Sequence, residues 1–174
     1  SHQLLLDQVL GDHGLSEQDL QVVELSPPEM PAALAQGQIA GYCVAEPFGA
    51  KSVLLHTGKV FARSDELWPD SLCCALVFNG TFLDQHRELA KAFVHDYQAA
   101  GDYLTRQPDE QQRIAAKYLK AKDAVLDLSL QWISYKDLRI QEPAYDELIR
   151  RMKDARLIRQ APAYEDFVDS SLLD

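Results

Sequence analysis

The sequence predicts an α/β fold in which a small βαβ lobe is followed by a helical section. Two short apolar runs, residues 20–25 (LQVVEL) and 39–44 (IAGYCV), lie on either side of a short helical pattern, which is the order of a βαβ unit. From Thr81 onward, apolar residues recur at intervals of three and four, the period of an amphipathic helix. We therefore expect a mixed structure in which helix exceeds strand.

Local signals define the elements at the start of the chain. Residues 3–12 have the apolar spacing of a helix. The strand at 20–25 stops at residues 26–28 (SPP), because proline has no N–H to donate to a sheet. Ser26 is then placed to cap a short helix that ends at Gly37, since serine is a favoured N-cap and glycine a frequent helix terminator.

The second strand, at 39–44, breaks at the dipeptide Glu46-Pro47, and a short helix over residues 50–54 is expected after it. A carboxylate at the carboxyl end of a strand occupies the position where open α/β sheets place ligand sites. A second interpretation is that Glu46 caps the following helix through its charge. The sequence leaves both interpretations open.

Beyond the predicted lobe, residues 71–78 (SLCCALVF) form a continuous apolar run that is typical of a buried strand. The rest of the chain is predicted to be helical. The expected helices are 83–104, 111–119 and 124–133, one that starts at Pro143, and a short one near 164–172.

Composition limits the possible classes of function. The 174 residues are 47% hydrophobic and 25% charged, as in a globular protein with a sizeable core. The net charge of −10 argues against nucleic acid or an anionic membrane surface as the main partner. A cleft in an acidic protein can still bind an anion, because helix ends and local donors set the potential there.

The sequence gives little sign of catalysis or of a structural metal. The common nucleophile, phosphate-loop, dinucleotide and zinc-protease motifs do not occur. Cys43, Cys73 and Cys74 lack metal-ligand spacing, and we expect them to pack in the core. Adjacent residues of a strand point to opposite faces, so Cys73 and Cys74 are not expected to share a site. We predict no cofactor and no metal.

Three segments resemble one family of binding proteins. Residues 27–50 (PPEMPAALAQGQIAGYCVAEPFGA) are similar to the helix, strand and "EPF" turn of solute-binding proteins of ABC importers in the nitrate, sulfonate, taurine and bicarbonate group. Residues 1–15 (SHQLLLDQVLGDHGL) resemble a helix of that family, and residues 163–173 (AYEDFVDSSLL) resemble its closing segment. The three segments occur in the family's order, and the resemblance covers nearly the whole chain.

The resemblance implies a fold of the periplasmic-binding-protein type 2 kind, which has two lobes. Residues 1–70 would be part of the second α/β lobe. Residues 71–174 would contain the strand that crosses to the first lobe and the helical section that packs on it. The chain would then be a C-terminal portion with the N-terminal lobe largely absent, and apolar helix faces would be exposed or would drive self-association.

The resemblance also implies a function and a site. The chain would capture a small anion or organic acid, of the nitrate, sulfonate, taurine or bicarbonate type, without being an enzyme. It would deliver this solute to an ABC permease from a periplasmic or extracellular membrane-anchored position. The expected ligand-binding residues are Ser1, His2, Ser26, Pro27, Glu46 and Pro47.

Two alternatives remain on the same fold. One is a cytoplasmic sensor that binds its ligand and then a regulatory protein. The other is an enzyme resembling the pyrimidine synthase of thiamine biosynthesis, although that family has a dense cysteine cluster that residues 72–75 (LCCA) do not reproduce.

Overall fold

The computed structural model describes residues 2–173, and its regular structure in that range is helical. One long helix and several shorter ones follow one another with connections of varied length. The α-helices are α1 (His2–Asp12), α2 (Met30–Ala35), α3 (Phe48–Leu54), α4 (Ser64–Leu67), α5 (Gly80–Gln85), α6 (Arg87–Arg106), α7 (Pro108–Tyr118), α8 (Asp123–Leu130), α9 (Glu142–Asp154) and α10 (Tyr164–Phe167). Two 3-10 helices cover Glu17–Asp19 and Ser170–Leu172.

The predicted βαβ lobe is wrong, because no strand is present among residues 2–173. The three apolar runs at 20–25, 39–44 and 71–78 contain neither helix nor sheet. A strand is stable only when a neighbouring strand accepts and donates its backbone hydrogen bonds, and composition cannot show whether that neighbour exists. Side chains on these runs are correspondingly exposed, up to 77% at Val77.

Each predicted helical segment contains helix, but the bounds differ. The predicted helix 83–104 is divided at His86 into α5 and α6, and α4 was not predicted. The helix α2 begins at Met30, after a turn over residues 27–29, rather than directly after Ser26. Gly37 ends α2 as expected, with a φ of 68° that favours glycine, and the Gln38 N–H then donates to the Ala33 carbonyl at 2.9 Å. No helix of residues 2–173 is long and apolar enough to cross a membrane.

The chain divides into two compact units. The first contains the residues up to Pro69 together with Gln107–Ser134, and the second contains Asp70–Arg106 and the residues from Tyr135 onward. In the first unit α3 packs against both α2 and α8, α8 also packs against α7, and α1 packs against α4. Its buried side chains include Ala50, Leu126 and Trp68.

The core of the second unit is small and aromatic at its edge. Ala90 and Val94 on α6 pack against Leu172 of the C-terminal 3-10 helix. The rings of Phe78 and Phe82 stack at 6.1 Å beside this cluster. Arg87 also bonds the carboxylate of Asp169 at 2.8 Å, so both an ion pair and apolar contacts fix the end of the chain to α6.

Part of the apolar face of α6 is open to solvent. Leu89, Phe93 and Tyr97 are 60%, 52% and 44% exposed, although their spacing is that of a buried helix face. This confirms the expectation that apolar helix residues are left exposed. Self-association through them stays a prediction.

The three cysteines correct a second prediction. Cys43, Cys73 and Cys74 are exposed and are not disulfide-bonded, rather than packed in a core. The prediction assumed that two of the apolar runs were buried strands, and without a sheet there is no interior for these side chains to enter.

A glycine on α6 is required by close packing in the second unit. An added Cβ at Gly101 would lie 2.6 Å from Leu138 Cδ1 and 2.9 Å from the Tyr135 carbonyl oxygen. We expect Gly101→Ala to lower the free energy of unfolding by about 1–3 kcal/mol, because backbone must move to admit the methyl group. The control is Gly11→Ala on α1, where nothing lies within 4 Å and the better helix propensity of alanine should stabilise by about 0.5–1 kcal/mol. Urea unfolding followed by far-UV circular dichroism measures both, and equal effects would contradict the packing argument.

An arginine pair on α9 makes the stability of the chain sensitive to acid. Hydrogen bonds from Arg150 and Arg151 lower the pKa of Glu147 from 4.5 to about 2. Because the folded-state pKa is below the ordinary value, this stabilisation is present above pH 4.5 and is lost as the pH falls to about 2. All three side chains are partly open to solvent, so salt weakens the effect.

We therefore expect Glu147→Gln to lower the free energy of unfolding at neutral pH and to reduce its decline between pH 4.5 and about 2. Glu165→Gln, at an exposed glutamate on α10, is the control. Urea unfolding curves collected across this pH range test the expectation. A Glu147→Gln curve parallel to that of the unchanged chain would show that this carboxylate is not the group responsible.

Candidate functional site

The turn at Glu46-Pro47 leads directly into α3 and forms the centre of the candidate site. The peptide bond between these two residues is cis. Pro47 is the N-cap of α3, and the helix continues to Leu54, which confirms the predicted short helix after the turn. Since α3 packs against both α2 and α8, this turn leads into a helix with two neighbouring helices in the first unit.

The Glu46 carboxylate bonds within the chain. Its Oε2 atom accepts a hydrogen bond from the Ala50 N–H at 3.0 Å and lies 3.1 Å from the Ser129 Oγ on α8. The Ser129 hydroxyl also lies 2.7 Å from the Val125 carbonyl, so its one hydrogen serves one acceptor at a time. Of the two interpretations of Glu46, these contacts favour the helix cap.

Gly49 allows the carboxylate to reach this position. A Cβ built on Gly49 would lie 2.5 Å from Glu46 Oε1, closer than real Cβ atoms approach a neighbour. Any larger residue at position 49 would displace the Glu46 side chain. In residues 46–49 (EPFG), Glu46 supplies the carboxylate, Pro47 lies at the turn, and Gly49 leaves the space that the carboxylate occupies.

A second set of hydroxyl contacts supports the same turn. The Tyr42 hydroxyl lies 2.8 Å from the Phe48 carbonyl and 2.6 Å from the Ser52 Oγ. Ser52 and Ser129 are both buried. Sequence reasoning missed these three hydroxyls. Ser129 could have been found from its spacing, because it lies three residues after Leu126 and so falls on the same apolar, core-facing side of the helix.

Ser26 and Pro27 lie on an exposed segment before α2. The Ser26 hydroxyl and its backbone N–H both donate to the Glu29 carboxylate. The hydroxyl, and then the N–H, lowers the pKa of Glu29. The Ser26 hydroxyl therefore pairs with a side chain and not with a backbone N–H of the helix.

The six predicted site residues are only partly brought together. The segment with Ser26 and Pro27 precedes α2, and Glu46-Pro47 precedes α3, and these two helices are in contact. His2 is exposed at the start of α1, whose main partner is α4. Gln8 on α1 donates to the Leu67 carbonyl at 2.6 Å. Ser1 lies outside the described residues.

The first unit also contains an open cavity of about 500 Å³ between α7 and α8. Amides and carboxylates form much of its polar lining, and none of the predicted site residues contributes to it. The lining residues are Pro108, Asp109, Gln111, Gln112, Asp127, Leu130, Gln131 and Ile133. Within residues 2–173, no three His, Cys, Asp or Glu side chains converge as a metal-ion site would require.

Comparison with known proteins shows which class of protein this chain resembles. A crystal structure of the ligand-binding component of an ABC-type import system from Staphylococcus aureus, with zinc bound, matches with a TM-score of 0.91 and 40% identity. The match covers 98% of this chain and 58% of that chain. The nitrate import ATP-binding protein NrtC from Synechocystis sp. is 36% identical over 52 residues, which are 30% of this chain and 8% of that protein.

The fold is thus that of a ligand-binding component of an ABC-type import system, and the predicted resemblance to these solute-binding proteins is confirmed. The model of the NMT1-like family matches residues 1–120. The chain belongs to the NMT1-like family. It spans 58% of the length of the structure that it matches.

Replacing Glu46 tests its contribution to the helix. We expect Glu46→Ala to lower the free energy of unfolding by about 0.5–2 kcal/mol, because the Ala50 N–H loses its acceptor at the first turn of α3. Glu24→Ala, at an exposed glutamate before α2, is the control and should change stability by less than about 0.5 kcal/mol. Chemical unfolding of both variants gives the comparison. Equal effects would mean that the Glu46 cap contributes nothing to stability.

Proposed function

We propose that this chain acts as the solute-binding component of an ABC importer and captures a small solute without covalent chemistry. The observation that carries the proposal is the likeness to the S. aureus ligand-binding component over nearly all of this chain. Membership of the NMT1-like family and the similarity to a nitrate import protein support it. The partner would be an ABC permease, and the working location would be periplasmic or extracellular.

The proposed solute is a small anion or organic acid. The chain carries a net charge of −10, so an anion would depend on local donors and not on the overall field. The start of α1 offers such donors, because the first backbone N–H groups of an eleven-residue helix have no partner within the helix and His2 adds an imidazole. A cation is the competing ligand, since the similar S. aureus structure contains zinc and the chain is acidic.

The proposed site is one wall of a cleft between two lobes. Ser1 and His2 would contact the solute, and Ser26, Pro27 and Pro47 would shape the wall. Glu46 would act as a positioning residue, because its carboxylate fixes the first turn of α3. The opposite wall would belong to a first lobe, on which helices within residues 71–174, such as α6, would pack. The exposed apolar side chains of α6 support that arrangement.

Calorimetric titration of the chain, and of a full-length form that contains it, tests the proposal. The panel is nitrate, bicarbonate, taurine, an alkanesulfonate and Zn²⁺. We expect one anion to bind and His2→Ala to weaken that binding by about 1–3 kcal/mol, the cost of leaving a buried polar group of the complex without a partner. The control is His95→Ala, at an exposed histidine on α6.

The outcomes separate the parts of the proposal. Binding of Zn²⁺ alone would replace the anion with a cation and leave the transport class in place. Anion binding that is equally strong in the His2→Ala and unchanged proteins would contradict the site. Failure of the full-length form to bind any solute in this panel would contradict the ligand class.

A further inference from the structure

Two adjacent thiols lie together on the surface of the second unit. The Sγ atoms of Cys73 and Cys74 are 3.8 Å apart, and both residues are exposed. In a strand these side chains would point to opposite faces, but residues 71–79 form neither strand nor helix. The backbone therefore holds both sulfur atoms on one side.

This arrangement places the two sulfur atoms close enough for a disulfide to form after local rotation of the side chains and backbone. A disulfide bond is about 2.05 Å long, so the two sulfur atoms need to approach by less than about 2 Å. Consecutive Cα atoms are about 3.8 Å apart, which is below the usual Cα separation of disulfides, so the bond would be more easily reduced than a structural one.

The hydrogen bond between the thiols assigns them different roles. Cys74 donates its S–H to the Cys73 Sγ, and this bond, followed by the charge of Cys73, raises the pKa of Cys74. A raised pKa keeps Cys74 in its thiol form, which leaves Cys73 as the residue that attacks first. Cys73 is then the nucleophile, because the thiolate is the reactive form of cysteine.

We propose that Cys73 and Cys74 form a reversible thiol–disulfide modification site whose oxidant is a low-molecular-weight disulfide. The Cys73 thiolate attacks one sulfur of the oxidant, forms a mixed disulfide and releases one small thiolate. The Cys74 thiolate then attacks Cys73 Sγ and releases the second small thiolate. Two electrons pass from the cysteine pair to the oxidant, and the two cysteine protons end on the two small thiols.

The second step is favoured by the first. Once Cys73 is in the mixed disulfide its negative charge is gone, and so is one cause of the raised pKa of Cys74. The contact at 3.8 Å keeps Cys74 beside the sulfur that it must attack. Oxidation would also change the shape of an open cavity of about 200 Å³, because residues 72–75 line one side of it, opposite Ile140, Leu148 and Phe167.

Mass spectrometry of the folded chain after treatment with glutathione disulfide tests the proposal. We expect the peptide that contains both cysteines to lose the mass of two hydrogen atoms without retaining glutathione, and dithiothreitol to reverse this change. Cys43→Ser should behave in the same way. In Cys73→Ser and Cys74→Ser, the remaining thiol of the pair should instead retain one glutathione.

Three results would overturn the proposal. The first is stable glutathione adducts on both Cys73 and Cys74 of the unchanged chain. The second is a bridge from either residue to Cys43 or to a second copy. The third is formation of the same bond at an equal or higher rate in denaturant, which would show that the folded arrangement does not promote it.

Discussion

The first unit depends on one carboxylate that connects two helices far apart in the sequence. Glu46 contacts the first turn of α3 through the Ala50 N–H and contacts α8 through the Ser129 hydroxyl. A partly buried carboxylate is costly unless it is hydrogen-bonded, so these contacts restrict where α8 can pack. The absence of a side chain at Gly49 is a condition of the same geometry. Because α2 packs on α3 and α7 packs on α8, the contacts of Glu46 lie at the centre of this group of helices.

The second unit is stabilised differently, by the return of the chain end to α6. Leu172 packs against Ala90 and Val94 of α6. The ion pair between Arg87 and Asp169 holds the C-terminal 3-10 helix against the same helix. The buried face of α6 is therefore narrow, and the broader apolar face stays open. In an isolated monomer such a face is unfavourable, whereas against another lobe it becomes an interface. This is the physical basis for the two-lobed arrangement that we propose.

The sequence singled out the Glu46-Pro47 turn, but it could not show which contacts the side chains of that turn make. The order of strand-like run, proline turn and helix identified Glu46-Pro47 as a special position, and both ligand contact and helix cap were compatible with it. Two contacts of the Glu46 carboxylate favour the cap. The Ala50 N–H is only four residues away, so a sequence can indicate it as a partner. Ser129 lies on α8, and a sequence cannot indicate that contact. The hydrogen bond between Tyr42 and Ser52 was not predicted, because the partner of a hydroxyl group depends on which residues are adjacent in the folded chain.

What the sequence determined by itself is the position of most of the helices, although it predicted neither α4 nor the break between α5 and α6. Helical hydrogen bonds join residues four apart, and the signals at their ends, such as Gly37, are local, so all the information is in a short window. Tertiary structure alone decided the state of the apolar runs at 20–25, 39–44 and 71–78, since a strand needs a partner from elsewhere in the chain. It also decided that Cys73 and Cys74 lie together on the surface, because burial depends on what packs above a residue and not on its own type.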